Sequence, residues 1–214
     1  MLVLTYALNV INMSFLHNQF SKEINKKNDK KFLDDYYLRY QKILFDSRDD
    51  NSILKLRNAI YETYLRKGKL IFIGNGASAS LASHAATDFT KQAKIPSIAF
   101  NDHNLITALS NDYGYHSWAA KAIEFYSAPN DMIIFISVSG ESKNLIEAIN
   151  YANQRSIITA SLTGSNRTNS VREKSEYSLW VNSKAYNIVE SIHTIWITLI
   201  IDLFVGTPEY MVSD

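Results

Sequence analysis

The stretch from Leu70 to Phe89 limits the fold of this chain more than any other part of it. The apolar run Leu70–Ile73 predicts a buried strand, and the turn Gly74-Asn75-Gly76 leads directly into an Ala- and Ser-rich helix. A strand, a glycine turn and a helix N-terminus bring unpaired N–H groups together, which suits an anion or a sugar oxygen. The alternative is a tight turn that binds nothing.

The same stretch does not fit the common nucleotide-binding motifs. The dinucleotide fingerprint would need a glycine at Ala79, and a Walker loop would continue into Gly-Lys-Ser or Gly-Lys-Thr. We therefore expect no nucleotide cofactor.

Short apolar runs alternate with helical segments along the rest of the chain. This alternation predicts an α/β fold, a three-layer αβα domain with a doubly wound, flavodoxin-like parallel sheet of five strands. Ligands of such sheets bind beyond the carboxyl ends of the strands. The predicted strands are Leu70–Ile73, Ser97–Phe100, Met132–Ser137, Ile157–Leu162 and Tyr177–Val181, and the predicted helices are 78–92, 103–110, 116–127, 142–154, 168–174 and 187–204.

Residues 1–50 predict a helical extension ahead of a domain at 51–214. Apolar side chains recur at helix-like spacing over Ser14–Phe45, and the polar part Lys22–Lys31 either interrupts this helix or forms its exposed face. So much apolar surface favours a contact between subunits, with packing against the chain's own domain as the alternative.

Two further features mark the N-terminal part. Met1–Val10 is apolar, but no basic residue precedes it and no small-residue cleavage site follows, so we expect no signal peptide and consider Met13 as an alternative start. Asp50-Asn51-Ser52 predicts the N-cap of a second helix, which ends at Arg66.

Composition excludes several classes of function. Lys and Arg number 22 and Asp and Glu 21, so no strong field attracts nucleic acid or an anionic membrane. The absence of cysteine excludes disulfides and thiol chemistry and is compatible with the cytoplasm, where we expect the protein. The most apolar run, Ile192–Val205, is too short for a membrane span and carries His193 and Asp202. We therefore expect no nucleic-acid partner and no membrane partner.

A serine-rich loop, Ser137-Val138-Ser139-Gly140-Glu141-Ser142, follows the third predicted strand and leads into an amphipathic helix. Three hydroxyls, free N–H groups and a helix dipole then converge on one anion, for which a phosphate is the best match. The alternative is that Ser142 is an ordinary N-cap and the other serines fill the loop. Leu162-Thr163-Gly164-Ser165 repeats the pattern after the fourth strand, and Asn111-Asp112-Tyr113-Gly114 closes the helix after the second.

In order and spacing, these motifs together with His84 and Asp88 resemble those of sugar isomerase (SIS) domains. Within that group the chain is most similar to phosphoheptose isomerases, which interconvert sedoheptulose 7-phosphate and a heptose 7-phosphate. The resemblance covers about Ser52 to Phe204. It implies a sugar phosphate as substrate and a homodimer or homotetramer, with sites that lie between subunits.

The resemblance also assigns residues to the substrate. It places the phosphate at the serine loop, the sugar at the glycine turn, and further contacts at the Asn-Asp pair and on the last helix. The implied substrate-binding residues are Asn75, Gly76, Ala77, Ser78, Asn111, Asp112, Ser137, Val138, Ser139, Ser142 and Glu190.

Family members hold zinc with a His and a Glu four residues apart and with a Gln and a His eight apart on the last helix. Here the first pair is His84 and Asp88, and the second falls on Glu190 and Thr198, so the implied zinc ligands are His84, Asp88 and Glu190. The alternative for His84 and Asp88 is a polar pair on a helix surface.

Isomerisation through an enediol needs a base that moves a proton between neighbouring carbons and a group that stabilises charge on oxygen. Thr198 cannot act as a base near neutral pH. Glu190 and His193, three residues apart on one helix, replace it, so the predicted catalytic residues are Asp88, Glu190 and His193. The alternative for His193 is a packing residue among apolar neighbours.

Three functions are consistent with these features. The first is an isomerase that converts sedoheptulose 7-phosphate to D-glycero-D-manno-heptose 7-phosphate, for lipopolysaccharide or capsule precursors. The second is a non-catalytic, sugar-phosphate-binding regulatory module, which the change at Thr198 favours. The third is a tetrameric scaffold with a vestigial sugar site, which the three loop serines disfavour.

Overall fold

The computed structural model describes residues 26–210, and the side chains from Asn28 onward. The predictions for Met1–Val10, for Met13 and for the start of the first helix lie outside this part. The helices are α1 Lys26–Asp46, α2 Asp50–Leu65, α3 Ala77–Lys91, α4 His103–Tyr113, α5 Trp118–Tyr126, α6 Lys143–Gln154, α7 Ser170–Lys174 and α8 Tyr186–Val205, and the strands are β1 Leu70–Gly74, β2 Ser97–Ala99, β3 Met132–Ser137, β4 Ile158–Thr163 and β5 Tyr177–Trp180.

The five strands form one parallel sheet in the order β2-β1-β3-β4-β5. Every residue of β1 and β3 is buried, because helices cover both faces of the sheet. The predicted α/β doubly wound fold is confirmed. The strand order reverses between β1 and β3, and the crevice at such a switch point is where this class of sheet binds its ligands.

Two hydrophobic layers enclose the sheet. On one face, β1 and β3 present Ile71, Ile73, Ile133 and Phe135 to the buried sides of α4, α5 and α6. On the other face, Phe72 stacks on Phe89 of α3, with ring centroids 5.5 Å apart, and Phe89 contacts Phe204 of α8 edge to face.

The last helix, α8, is longer than the predicted apolar run. By length and composition alone it could cross a membrane, with a mean hydropathy of 1.8, yet 44% of its most apolar window is buried in the domain. Its buried side chains belong to the core of this α/β domain. They are Ile188, Val189, Ile192, His193, Trp196, Ile197, Ile200 and Ile201.

The chain divides into two compact units, 1–42 and 43–214. In the described part of the first unit, α1 runs without a break through Lys26–Lys31, and Asn28–Lys31 are exposed. For the described residues, the polar part therefore forms an exposed face and does not interrupt the helix.

The N-cap of helix α2 lies one residue before the predicted cap segment Asp50-Asn51-Ser52. Its N-cap is Asp49, whose Oδ1 accepts a hydrogen bond from the Ser52 backbone N (3.0 Å) and whose Oδ2 accepts one from Ser52 Oγ (2.7 Å). These two hydrogen bonds lower the pKa of the Asp49 carboxyl. Asp50, Asn51 and Ser52 belong to the first turn of the helix.

Candidate functional site

The glycine turn brings α3 close to the end of β1. A Cβ on Gly74 would lie 2.7 Å from the carbonyl carbon and oxygen of Ser78, so any other residue would push the helix away. Gly76 has φ +57° and takes the N-cap position of α3 without a side chain to cap it. Ser78 N and Ala79 N donate to the carbonyls of Asn75 (3.1 Å) and Gly76 (3.0 Å), so the first turn of α3 offers few N–H groups to a ligand.

The serine loop joins β3 to α6 next to this turn. Ser137 Oγ accepts a hydrogen bond from Gly140 N (3.0 Å), and Ser139 Oγ accepts one from Glu141 N (3.2 Å). Each hydroxyl that accepts in this way keeps its own proton to donate, which suits a phosphate oxygen. Ser142 takes the N-cap position of α6, but its side chain makes no capping hydrogen bond. The alternative of an ordinary serine cap therefore does not describe Ser142.

A reciprocal pair of amides ties the two loops together. Asn75 Nδ2 donates to Asn144 Oδ1, and Asn144 Nδ2 donates to Asn75 Oδ1, both at 3.0 Å. Asn144 is buried on the first turn of α6. Sequence analysis missed Asn144, although an amide among the buried apolar positions of an amphipathic helix was a usable signal.

The predicted Asn111 and Asp112 lie on the last turn of α4. Both are exposed, and Asn111 Nδ2 donates to Asp112 Oδ1 (3.0 Å). Their contact with a sugar stays a prediction.

A cleft of about 470 Å³ lies between the start of α3 and the start of α8. It brings five of the predicted site residues to one place, beginning directly after the glycine turn. Its lining residues are Ala77, Ser78, Ser80, Leu81, His84, Asn187, Glu190, Ser191, His193 and Thr194.

Among the titratable side chains that were predicted for the site and line the cleft, His84 and Glu190 reach solvent. His84 is 55% exposed, and its Nε2 lies 3.2 Å from Asp88 Oδ2, one helical turn further along α3. The Asp88 side chain is only 16% exposed, so it contacts the imidazole of His84 while His84 itself faces the cleft. Glu190 is half-buried, and within residues 26–210 its carboxylate has no hydrogen-bond or ion-pair partner.

His193, three residues after Glu190 on α8, is fully buried. Neither ring nitrogen has a partner in good hydrogen-bond geometry among the described residues, although the Thr163 backbone is near enough to favour the charged form slightly. Burial outweighs this contact and lowers the pKa of His193 to about 4. The ring is therefore neutral at physiological pH.

Within residues 26–210, the three implied zinc ligands do not come together as a metal-binding group. Across residues 26–210, no group of three His, Asp or Glu side chains is placed to hold an ion, so His84, Asp88 and Glu190 do not converge as expected. Thr198 does not complete the set, because its hydroxyl donates to the carbonyls of Thr194 and Ile195 at 3.0 Å each. The residues present do not fit a zinc ion with three or four protein ligands.

Comparison with known proteins assigns the fold and the loops to one family. The SIS domain family model matches residues 35–164. Phosphoheptose isomerase from Roseiflexus sp. is 38% identical over 118 residues, which cover 52% of this chain and 60% of that protein. Phosphoheptose isomerase 2 from Campylobacter jejuni is 32% identical over 155 residues, which cover 68% of this chain and 77% of that protein.

Solved structures agree with the fold. The phosphoheptose isomerase GmhA from Neisseria gonorrhoeae superposes with a TM-score of 0.76 at 22% identity, and the match covers 82% of this chain and 98% of that one. The family model spans the glycine turn and the serine loop, the two elements that meet at the switch point. The chain therefore belongs to the SIS domain family, and its relatives include proteins named phosphoheptose isomerase.

Proposed function

We propose that this protein is a phosphoheptose isomerase that converts sedoheptulose 7-phosphate to D-glycero-D-manno-heptose 7-phosphate. The names of its relatives support this assignment. The observation that carries it is the meeting of the glycine turn and the serine loop at the switch point, joined by Asn75 and Asn144. The product would supply lipopolysaccharide or capsule precursors in the cytoplasm.

The serine loop is the proposed phosphate seat. Ser137 and Ser139 each accept a backbone hydrogen bond and so present a hydroxyl proton. Leu145 N and Ile146 N donate to the Ser142 carbonyl, which leaves the N–H groups of Lys143 and Asn144 at the start of α6. These donors neutralise a phosphate without a cationic side chain. The substrate phosphate would bind here, with the sugar directed towards the glycine turn.

The cleft between α3 and α8 is the proposed place of proton transfer. Glu190 is the candidate base, because its carboxylate lines the cleft and has no partner within the described part of the chain. The exposed imidazole of His84, oriented by Asp88, is the candidate proton donor to the sugar oxygens. His193, three residues after Glu190 on α8, supplies a neutral ring. No step is assigned to zinc, because the donor set does not fit it.

The deciding experiment is proton NMR of the purified protein with sedoheptulose 7-phosphate in deuterated water, with and without added zinc. We expect a heptose product and deuterium at the carbon beside the carbonyl, at a rate that does not depend on zinc. Saturable line broadening without product or exchange would instead identify a binding module. The absence of any interaction would refute the assignment of sedoheptulose 7-phosphate as the substrate.

A non-catalytic sugar-phosphate-binding module is the second candidate. One observation favours it: Thr198, where the family places a catalytic His, donates its hydroxyl to its own helix. A binding module would keep the serine loop and lose exchange. The NMR experiment separates these two functions.

We also propose that the protein forms a homo-oligomer. Three large apolar side chains of α8, Ile195, Leu199 and Leu203, are 41, 40 and 38% exposed, and they line an apolar groove of about 450 Å³ with Leu54 and Phe45. Analytical ultracentrifugation should show a dimer or tetramer, and Leu199→Glu should shift it towards the monomer.

A further inference from the structure

Glu141 places a negative charge inside the loop that we propose as the phosphate seat. Its side chain turns towards the start of α7. The Ser170 backbone N donates to Glu141 Oε1, and Ser170 Oγ donates to Glu141 Oε2, both at 2.8 Å. One residue therefore satisfies both oxygens of the carboxylate.

The start of α7 is itself fixed against the loop. Asn169 is fully buried, and its Nδ2 donates to Thr163 Oγ1 (3.1 Å) and to the Asn166 carbonyl (2.8 Å). A Cβ on Gly140, whose φ is +67°, would lie 1.8 Å from Asn169 Oδ1, and Val171 N donates to the Gly140 carbonyl (3.0 Å). Ser170 is thus held in place by the residues on either side of it.

The direction of the Glu141 carboxylate matters because the loop binds an anion. Glu141 is exposed, and two negative charges that are a few ångströms apart near the surface repel each other by about 1 kcal/mol, which changes affinity about fivefold. Hydrogen bonds to a carboxylate are strong and directional, so two of them from one residue fix where its charge lies.

We propose that Ser170 is a positioning residue that holds the Glu141 carboxylate on the α7 side of the serine loop, away from the bound phosphate. The inference rests on the proposed function, since it takes the serine loop as the phosphate seat. In this proposal Ser170 raises the affinity for the substrate indirectly, through the position of the Glu141 carboxylate.

The test measures the affinity of the full chain for sedoheptulose 7-phosphate by calorimetry. Ser170→Ala removes one of the two hydrogen bonds and should weaken binding about fivefold, whereas Glu141→Gln removes the charge and should change affinity less than about twofold. The double variant should bind like Glu141→Gln alone. Thr168→Ala removes an exposed hydroxyl just before α7 and serves as the matched control.

Glu141→Asp tests the same idea without touching α7. The shorter side chain keeps the charge but cannot reach both donors of Ser170, so Glu141→Asp should bind more weakly than Glu141→Gln. Raising the salt concentration should reduce the defects of Glu141→Asp and Ser170→Ala, because screening weakens repulsion between charges. A defect caused by a distorted loop would not respond in this way.

The outcomes separate this inference from the function on which it rests. If the wild-type chain binds no sugar phosphate, the proposed function fails and the inference fails with it. If the wild type binds but Ser170→Ala equals the wild type, or if the Ser170→Ala defect persists in the Glu141→Gln background, only the role of Ser170 is overturned.

Discussion

Asn75 and Asn144 lie 69 positions apart in the sequence and exchange two hydrogen bonds of 3.0 Å. The first follows β1 and the second lies in the first turn of α6, so the pair bridges the two strands between which the sheet reverses its order. Because each amide satisfies the other, neither loop can shift without leaving a buried polar group unpaired. The spacing between the two halves of the site depends on this pair.

Asn144→Ala should therefore lower both stability and affinity. The change removes two hydrogen bonds and leaves the Asn75 amide unpaired, which should cost about 2 kcal/mol of unfolding free energy. Chemical denaturation and calorimetry with sedoheptulose 7-phosphate measure the two effects. Asn150→Ala, on the same helix and half-buried, is the control. Unchanged affinity would show that the two loops act independently.

Ser137→Ala with Ser139→Ala should weaken sugar-phosphate binding with the fold intact. Each serine loses a hydroxyl that we assign to the phosphate, and together they should reduce affinity at least about tenfold. Circular dichroism checks the fold. The control is Ser156→Ala, whose exposed hydroxyl lies beyond the other end of α6. Wild-type affinity in the double variant would show that the phosphate does not bind at the serine loop.

Glu190→Gln should abolish turnover while leaving binding measurable. The amide keeps the shape of the side chain but cannot accept a proton, and loss of a general base reduces rate by about a hundredfold or more. Deuterium exchange into the substrate measures the proton transfer directly. Glu176→Gln, an exposed carboxylate at the far end of the sheet, is the control. Normal exchange in Glu190→Gln would assign the base to another residue.

The buried His193 should make the protein less stable in acid. Its pKa falls to about 4 in the folded state from an ordinary 6.5, so the unfolded chain binds the proton more tightly. Unfolding free energy should therefore fall as the pH drops from about 6.5 to 4, by up to about 3 kcal/mol from this residue.

Denaturation at several pH values, compared with His193→Gln, measures this contribution. The variant should lose less stability between neutral and acidic pH, because glutamine does not titrate. Parallel pH profiles for the two proteins would show that His193 becomes protonated without cost in the folded state.

The sequence predicted the strands and the loops of the candidate site well. Buried parallel strands appear as short apolar runs, and ligand-binding loops follow them. The glycine turn and the serine loop were found for this reason. The partner of Asn75 was not found, since pairing between β1 and α6 depends on how two distant segments pack. The N-cap of α2 is Asp49 and not a residue of the predicted segment Asp50-Asn51-Ser52, because neighbouring polar residues give the same local signal.

The zinc site stays a prediction for a related reason, since His84, Asp88 and Glu190 form no metal-binding group within residues 26–210. His84 and Asp88 share a helix, and their contact follows from their spacing alone. Convergence with Glu190 requires α3 and α8 to approach at a particular angle, which no local pattern encodes. The burial of His193 likewise depends on the face that α8 turns towards the sheet.

The position of α8 has a consequence for synthesis of the protein. All five strands leave the ribosome before this helix does, yet α8 supplies eight buried side chains to one layer of the core. Until Tyr186–Val205 has emerged, a large apolar area over Phe72 and Phe89 lacks part of its cover. The nascent chain is then most prone to aggregation, and a chain that stops before α8 should depend on chaperones to stay in solution.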